Sequence, residues 1–183
     1  MSKIGIFMAD GCEEIEGLTV VDLLRRAKIE IEMIGVMGNP KAAGAHGISF
    51  DVDVTLAGAD YDSYDGIVLP GGMPGTNYLR ENAKVNEVIK KFAAEGKLVA
   101  AICAAPSVLG LAGILDGKHA TSYPGFEPKL LGAICETSEV VRDGNVITSR
   151  GMGTAIPFAL EIISYFQGAE AKEAMGKSIM YRV

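Results

Sequence analysis

Cys103 is the residue of this chain best placed for covalent chemistry. It ends the apolar run Leu98 to Ile102 and opens a stretch of small residues, Ala104-Ala105-Pro106, that passes into a helical pattern. A short apolar run of this kind reads as a strand buried on both faces. Proline is tolerated in a first helical turn, where its missing N–H has no partner to lose. KLVAAICAAPSVLG therefore predicts strand, tight turn and helix, with a thiol at the corner. A sulfur there faces the unpaired N–H groups at the helix start, which favour thiolate. The competing reading is a core cysteine, since free cysteine is among the most buried residue types.

A thiolate nucleophile needs a group to manage its proton and donors to stabilise the oxyanion formed on attack at a carbonyl. The chain has two histidines, His46 and His119. On a strand His119 would share a face with Tyr123 but lie roughly 13 Å from it, and neither histidine is placed by sequence beside Cys103. The carboxylates of Glu13, Glu14 and Glu16 fall in the first turn of a helix. For Glu13 and Glu14 the expectation is complementation of the helix dipole. Glu16 lies further along, and a turn of its side chain toward Cys103 would let the two groups share one proton. Such an acid can also move protons between adjacent carbons of a substrate.

Gly71-Gly72 is either a tight turn or a place where backbone N–H groups approach a ligand closely. Arg150-Gly151-Met152-Gly153-Thr154 precedes a helix and could bind an anion, but it lacks the P-loop lysine and the full dinucleotide fingerprint. Cys12, near a helix start, is a secondary reactive thiol. Cys135 reads as structural.

These residues must be held by a framework that the rest of the chain supplies. The 183 residues suit one domain, expected to span 1–183, with 49% hydrophobic and 22% charged residues and 23 glycines. That composition fits a tightly turned α/β protein and not a disordered chain. A net charge of −6 without a Lys/Arg cluster argues against nucleic acid or an anionic membrane as partner. The apolar run before Asp10 is too short for a signal-peptide core, so the expected location is the cytoplasm. Three widely spaced cysteines make neither a disulfide framework nor a zinc pattern.

Strands are expected at Lys3 to Met8, Glu30 to Met37, Tyr64 to Leu69 and the Cys103 run, with a loop at 39–45. His46 to Val54 is one extended strand or a hairpin arm. Helices are expected at Glu13 to Ala27, at Asn77 to Glu95 with a break near Asn82, at Thr154 to Gln167 and at Ala169 to Lys177. A short strand at Ala120 to Tyr123 and a short helix at Phe126 to Leu131 precede a hairpin turning at Asp143-Gly144. Strands alternating with helices imply a mostly parallel sheet covered on both faces. In such sheets ligands collect at the carboxyl ends of strands, where the segments after Met8, Leu69 and Ile102 lie.

The segments DGCEEIE, VDLLRRA, YDGIVLPGG, VAAICAAPSVL, ATSYPGFE and DGNVITSRGMGTAIPFALEII resemble, in order and spacing, the ThiJ/PfpI superfamily. Within it they are most similar to the branch of the Parkinson disease protein deglycase and its bacterial relatives. The resemblance implies a flavodoxin-like three-layer sandwich and a homodimer, with no cofactor and no metal. It makes Cys103 the reactive cysteine and Glu16 the protonated acid that contacts it. Gly72 and Ala104 become the backbone donors to an oxyanion, with Gly71, Tyr123 and Arg150 supporting the pocket and Arg25 and Arg26 on the dimer side.

Two departures bear on mechanism. Tyr123 stands where this branch often carries a histidine, and tyrosine is a poor base near neutral pH. Ala104 follows Cys103 where the protease-like and chaperone-like branches place histidine. Glutamine amidotransferases, which share the corner, need a downstream histidine, and none follows His119. The resemblance implies an enzyme acting on small reactive dicarbonyls or on glycated side chains, a glutathione-independent glyoxalase or a deglycase. The alternatives are a redox sensor that works through oxidation of Cys103 and an intracellular cysteine peptidase.

Overall fold

The computed structural model describes residues 2–182. β1 (Lys3–Met8), α1 (Glu14–Arg26) and β2 (Glu30–Gly35) open the chain as a strand–helix–strand unit. β3 (Lys41–Ala43) and β4 (Ser49–Asp51) then pair antiparallel outside the main sheet. The sequence reads 39–45 as loop; β3 escapes that reading because Ala42 is its one buried residue, too little for an alternating pattern. His46 to Val54 resolves as a hairpin arm followed by β5 (Val54–Thr55), which returns to the main sheet beside β2.

β6 (Gly66–Leu69), α2 (Gly75–Glu81), α3 (Ala83–Ala94), β7 (Leu98–Ile102) and α4 (Pro106–Leu111) follow. The expected break at Asn82 is present. Its side-chain oxygen accepts from the N–H groups of Lys84 (3.0 Å) and Val85 (3.1 Å), which starts α3 afresh. β8 (His119–Ala120) pairs with β9 (Ile134–Cys135) in a small ribbon. β8 stops short of the expected Tyr123 because the next backbone donors leave the ladder. The Thr121 N–H goes to the Thr148 hydroxyl (2.9 Å) and the Tyr123 N–H to the Cys103 carbonyl (2.8 Å). The short helix after it is a single 3₁₀ turn, Glu127–Lys129. β10 (Val140–Asp143) and β11 (Val146–Ser149) form the expected hairpin, and α5 (Ala155–Gln167) and α6 (Ala169–Ser178) complete the chain.

The main sheet has the order β10-β11-β7-β6-β1-β2-β5 and is parallel except for β10. One core lies between the sheet and α1 and α5, with α6 packed on α5; a second lies under α3 and α4. This is an α/β flavodoxin-like sandwich. Burial of Leu98, Val99, Ala100, Ala101 and Ile102 at 0% exposure explains the unbroken apolar run, each large side chain stabilising by about 1.5–3 kcal/mol. Because β7, β6 and β1 are neighbours in the sheet, their carboxyl ends bring Cys103, Gly71-Gly72 and the start of α1 to one corner. Among the described residues no helix is long and apolar enough to cross a membrane.

Candidate active site

Cys103 adopts φ = +66°, a left-handed conformation that a non-glycine residue rarely takes. Such strain costs roughly 1–3 kcal/mol and persists only where the surroundings over-determine it. Here they do. The Cys103 N–H donates to the Ser149 carbonyl (3.0 Å), and its carbonyl accepts from the Tyr123 N–H (2.8 Å). The Ser107 hydroxyl ties down the next carbonyl, that of Ala104 (2.6 Å), and Pro106 starts α4. The sharp strand-to-helix turn lifts the sulfur above the sheet, the arrangement of a nucleophile elbow.

Glu16 projects from the buried face of α1 and is 1% exposed. Its Oε2 accepts the Gly71 N–H (2.9 Å), and its carboxyl faces the Cys103 thiol. Oε1 is buried without a hydrogen-bond partner among the described residues. Gly71 has to be glycine for this contact: a Cβ there would sit 2.6 Å from the Cys103 Cβ and 2.7 Å from Oε2. Gly72 takes φ = +89°, and a Cβ on it would overlap the backbone of Cys12 and Glu13. The Ala104 and Gly72 N–H groups both point at the sulfur.

Burial pushes Glu16 up to about 7, while the Cys103 and Gly71 contacts pull the other way and Glu13 adds a little to the rise. Burial likewise pushes the Cys103 thiol up to about 12; the Glu16 carboxylate adds to this, and the Ala104 and Gly72 N–H groups oppose it. The sequence argument expects the following helix to make the thiol acidic on its own. The structure corrects this, because α4 is one short helix starting beyond Ala105 and burial outweighs its end. The two groups titrate as a coupled pair, holding two protons below about pH 7 and one above it. Thiolate arises when that proton sits on Glu16, stabilised by the two backbone donors.

A shallow cleft of about 360 Å³ is lined by Tyr123, Pro124, Arg150, Gly151, Met152 and Thr154, and Cys103 lies behind its Gly151 wall. Tyr123 is 51% exposed at its mouth. Arg150 makes no ion pair among the described residues. A Cβ on Gly151 would lie 3.9 Å from the Cys103 Sγ, so this turn passes close over the sulfur. The Thr154 hydroxyl accepts the Gly151 N–H (3.1 Å) and shares a hydrogen bond with the Ser149 hydroxyl (2.7 Å), which fixes the turn. Sequence reasoning missed Ser149, Thr154 and Ser107 as positioning residues. Their only signal is a hydroxyl near a helix start.

The histidines stay away from the cysteine. His119 pairs with Glu136 (2.6 Å), and His46 with Glu14 (3.0 Å). Glu14 does more than complement the helix dipole, since it is 3% exposed and holds the 44–48 loop through the His46 N–H (2.7 Å). Cys12 is not a reactive thiol: it is 1% exposed, and burial and then Glu14 push it up to about 12. Cys135 is exposed at the end of β9 and not part of a packed core. Arg25 pairs with Asp53 (2.8 Å) at the β5 edge. Arg26 pairs with Asp22 (2.7 Å) in a groove lined by Ile15, Leu18, Ile48 and Ile156.

A parallel α/β sandwich with a left-handed cysteine at a strand end and a buried carboxylic acid against it defines a class of cysteine-dependent folds. The chain belongs to the DJ-1/PfpI family, whose pattern matches residues 2–165. Protein dj-1beta of Drosophila melanogaster is 38% identical over 183 residues, 98% of each chain. The Parkinson disease protein 7 homolog of Danio rerio is 39% identical over 169 residues, covering 90% of this chain and 89% of its own. Among solved structures, oxidized Toxoplasma gondii DJ-1 superposes with a TM-score of 0.96 at 32% identity, and Drosophila melanogaster DJ-1beta with 0.93 at 37%, each covering both chains fully.

Proposed function

We propose that this protein is a cofactor-independent enzyme acting on small reactive dicarbonyls, a glutathione-independent glyoxalase. The observation that carries the reading is the contact between the Cys103 thiol and the Glu16 carboxyl, whose raised affinity for a proton suits both acid and base work near neutral pH.

The Cys103 sulfur adds to the aldehyde carbon of methylglyoxal, forming the C–S bond, and the carbonyl oxygen takes a proton to give a hemithioacetal. During attack the developing oxyanion lies near the Ala104 and Gly72 N–H groups that face the sulfur. The carbon now bonded to sulfur is one bond from the atom that the Glu16 carboxyl faces. Glu16 removes its proton, leaving an enediol, and the adjacent carbon is reprotonated. The product is a thioester, and water cleaves it to lactate and the free thiol. One water is consumed per turnover and no electrons leave the substrate. The unpaired Arg150 at the cleft suits the anionic product.

Early glycation adducts of protein side chains present the same carbon framework, and the cleft is open enough to receive them, so deglycase activity belongs to the same reading. A redox role is the second reading. Cys103 is partly exposed beside backbone donors that would hold an oxidised sulfur, and one structural relative was solved in an oxidized form. Peptidase chemistry lacks its base, because neither histidine reaches the thiol.

We also infer a homodimer through the outer face of α1. Ile15 and Ile48 are 50% and 56% exposed there, and Asp22 and Arg26 sit in the same groove, a self-complementary pair for a two-fold contact.

The experiment is methylglyoxal turnover without glutathione for the wild type and Cys103→Ala. Wild-type lactate production far above that of free thiol in buffer, abolished in Cys103→Ala, is expected. A wild type no faster than buffered thiol defeats the enzyme reading.

A further inference from the structure

Outside the cysteine corner, three side chains able to ligate a metal converge where α1 begins. His46 Nδ1 lies 3.0 Å from Glu14 Oε2 and 3.5 Å from Glu13 Oε2. One ligand atom from each of the three lies within 4.8 Å of the others. Two ligands on one ion, with bonds of about 2.1 Å, stand about 3.0 Å apart at octahedral angles and about 3.4 Å at tetrahedral ones. The two imidazole-to-carboxylate separations match those edges, and the two carboxylates lie within 4.8 Å of each other.

The cluster is built into the fold. Glu14 is 3% exposed, and its Oε1 accepts the His46 N–H (2.7 Å), so one carboxylate oxygen fixes the histidine backbone while the other faces its ring. The loop closes this tightly because residue 44 is glycine: a Cβ there would overlap the Glu14 carboxyl. The Glu13 side chain is 14% exposed, and its one polar contact among the described residues is the imidazole. No lysine or arginine pairs with Glu13 or Glu14 among the described residues. Two carboxylates thus face a single imidazole, an arrangement with excess negative charge.

We propose that Glu13, Glu14 and His46 form a binding site for a divalent cation of the zinc class, with water completing the shell. An imidazole with two carboxylates suits borderline first-row ions such as Zn²⁺ and Co²⁺. On binding, Nδ1 is a lone-pair donor, the ring keeps its proton on Nε2, and any Nδ1 proton passes to solvent. Glu14 keeps its backbone hydrogen bond through Oε1 and ligates through Oε2. The ion ties the 44–48 loop to the first turn of α1. That turn is joined in turn to the cysteine corner by the Glu13 N–H, which donates to the Gly71 carbonyl (2.9 Å). The site is separate from Cys103 and stands whether or not the protein is a glyoxalase.

The test is calorimetric titration of metal-stripped full-length protein with Zn²⁺, comparing wild type, Cys103→Ser, His46→Ala and Glu13→Gln. The thiol is itself a zinc ligand, so the serine variant separates the two sites. One equivalent is expected at this site in the wild type and in Cys103→Ser, with affinity at least about tenfold weaker in His46→Ala and in Glu13→Gln. Circular dichroism checks that the variants fold; should His46→Ala not fold, Glu13→Gln decides. No saturable binding by the wild type, loss of binding in Cys103→Ser, or unchanged binding in either ligand variant overturns the proposal.

Discussion

The Glu16 carboxyl faces the Cys103 thiol between α1 and the end of β7, and burial raises the proton affinity of both. Neither group is tuned alone. Burial raises both, the Gly71 N–H holds the carboxyl in place, and the Gly72 and Ala104 N–H groups hold the sulfur. In the proposed reaction, attack on a carbonyl is coupled to proton transfer by the neighbouring carboxyl, in a site whose geometry is set before substrate arrives.

Glu16→Gln tests whether that proton is used. Glutamine keeps an oxygen for the Gly71 N–H and nearly the same volume, but it can neither take nor give the proton. Methylglyoxal turnover is expected to fall by about 10²–10⁴-fold while the melting temperature stays close to wild type or rises. Activity within a factor of three of wild type would remove Glu16 from the mechanism.

The pair also sets a pH dependence. Folding moves Glu16 from an ordinary 4.5 to about 7, so between those values the native state holds a proton that the unfolded chain has released. Stability therefore falls as pH rises through that window, on the order of 1–3 kcal/mol, and levels off above it. Urea unfolding from pH 4 to 8 should show this slope in the wild type and not in Glu16→Gln. Alkylation of Cys103 by iodoacetamide should accelerate through about pH 7, where the pair loses its first proton. A rate that stays flat until pH 9 contradicts a shared proton.

The corner was legible in the sequence because strand ends announce themselves. Apolar runs stop at Met8, Leu69 and Ile102, and small residues follow each. What spacing could not give was the sheet order that makes β7, β6 and β1 neighbours, nor the rotation that turns Glu16 inward while Ile15 faces out. The direction of the Cys103 shift was illegible for a related reason. A helix start is visible in sequence, but the depth of burial opposing it depends on contacts distant along the chain. His46 closing on Glu14 is likewise a long-range contact, written into the sequence only as a glycine at 44. The β3–β4 hairpin left little trace because it buries almost nothing.

The exposed face of α1 carries a prediction about assembly. Ile15 lines the groove beside Leu18 and is 50% exposed, so a charge there should leave the protomer folded. Ile15→Glu puts a carboxylate opposite the same apolar patch of a second copy. Sedimentation velocity should show a wild-type dimer and a variant monomer with native circular dichroism. A wild type that sediments as a monomer at micromolar concentration would sink the two-fold contact.

Tyr123 decides whether the missing histidine matters. Its backbone is fixed by the bond from its N–H to the Cys103 carbonyl, while its ring stands half exposed at the cleft mouth, packed toward Gly151. A phenol is a poorer base than an imidazole and is not suited to taking a proton from substrate. With Glu16 already in contact with the sulfur, the mechanism asks nothing more of this position than shape. Tyr123→Phe should therefore keep kcat within about threefold and change mainly KM, since it removes one polar contact at the rim. Tyr123→His should add a base titrating near 6.5 and put a new inflection into the pH–rate profile. A loss of kcat of a hundredfold or more in Tyr123→Phe, with the protein still folded, would mean that the phenol and not Glu16 handles the proton in the slow step.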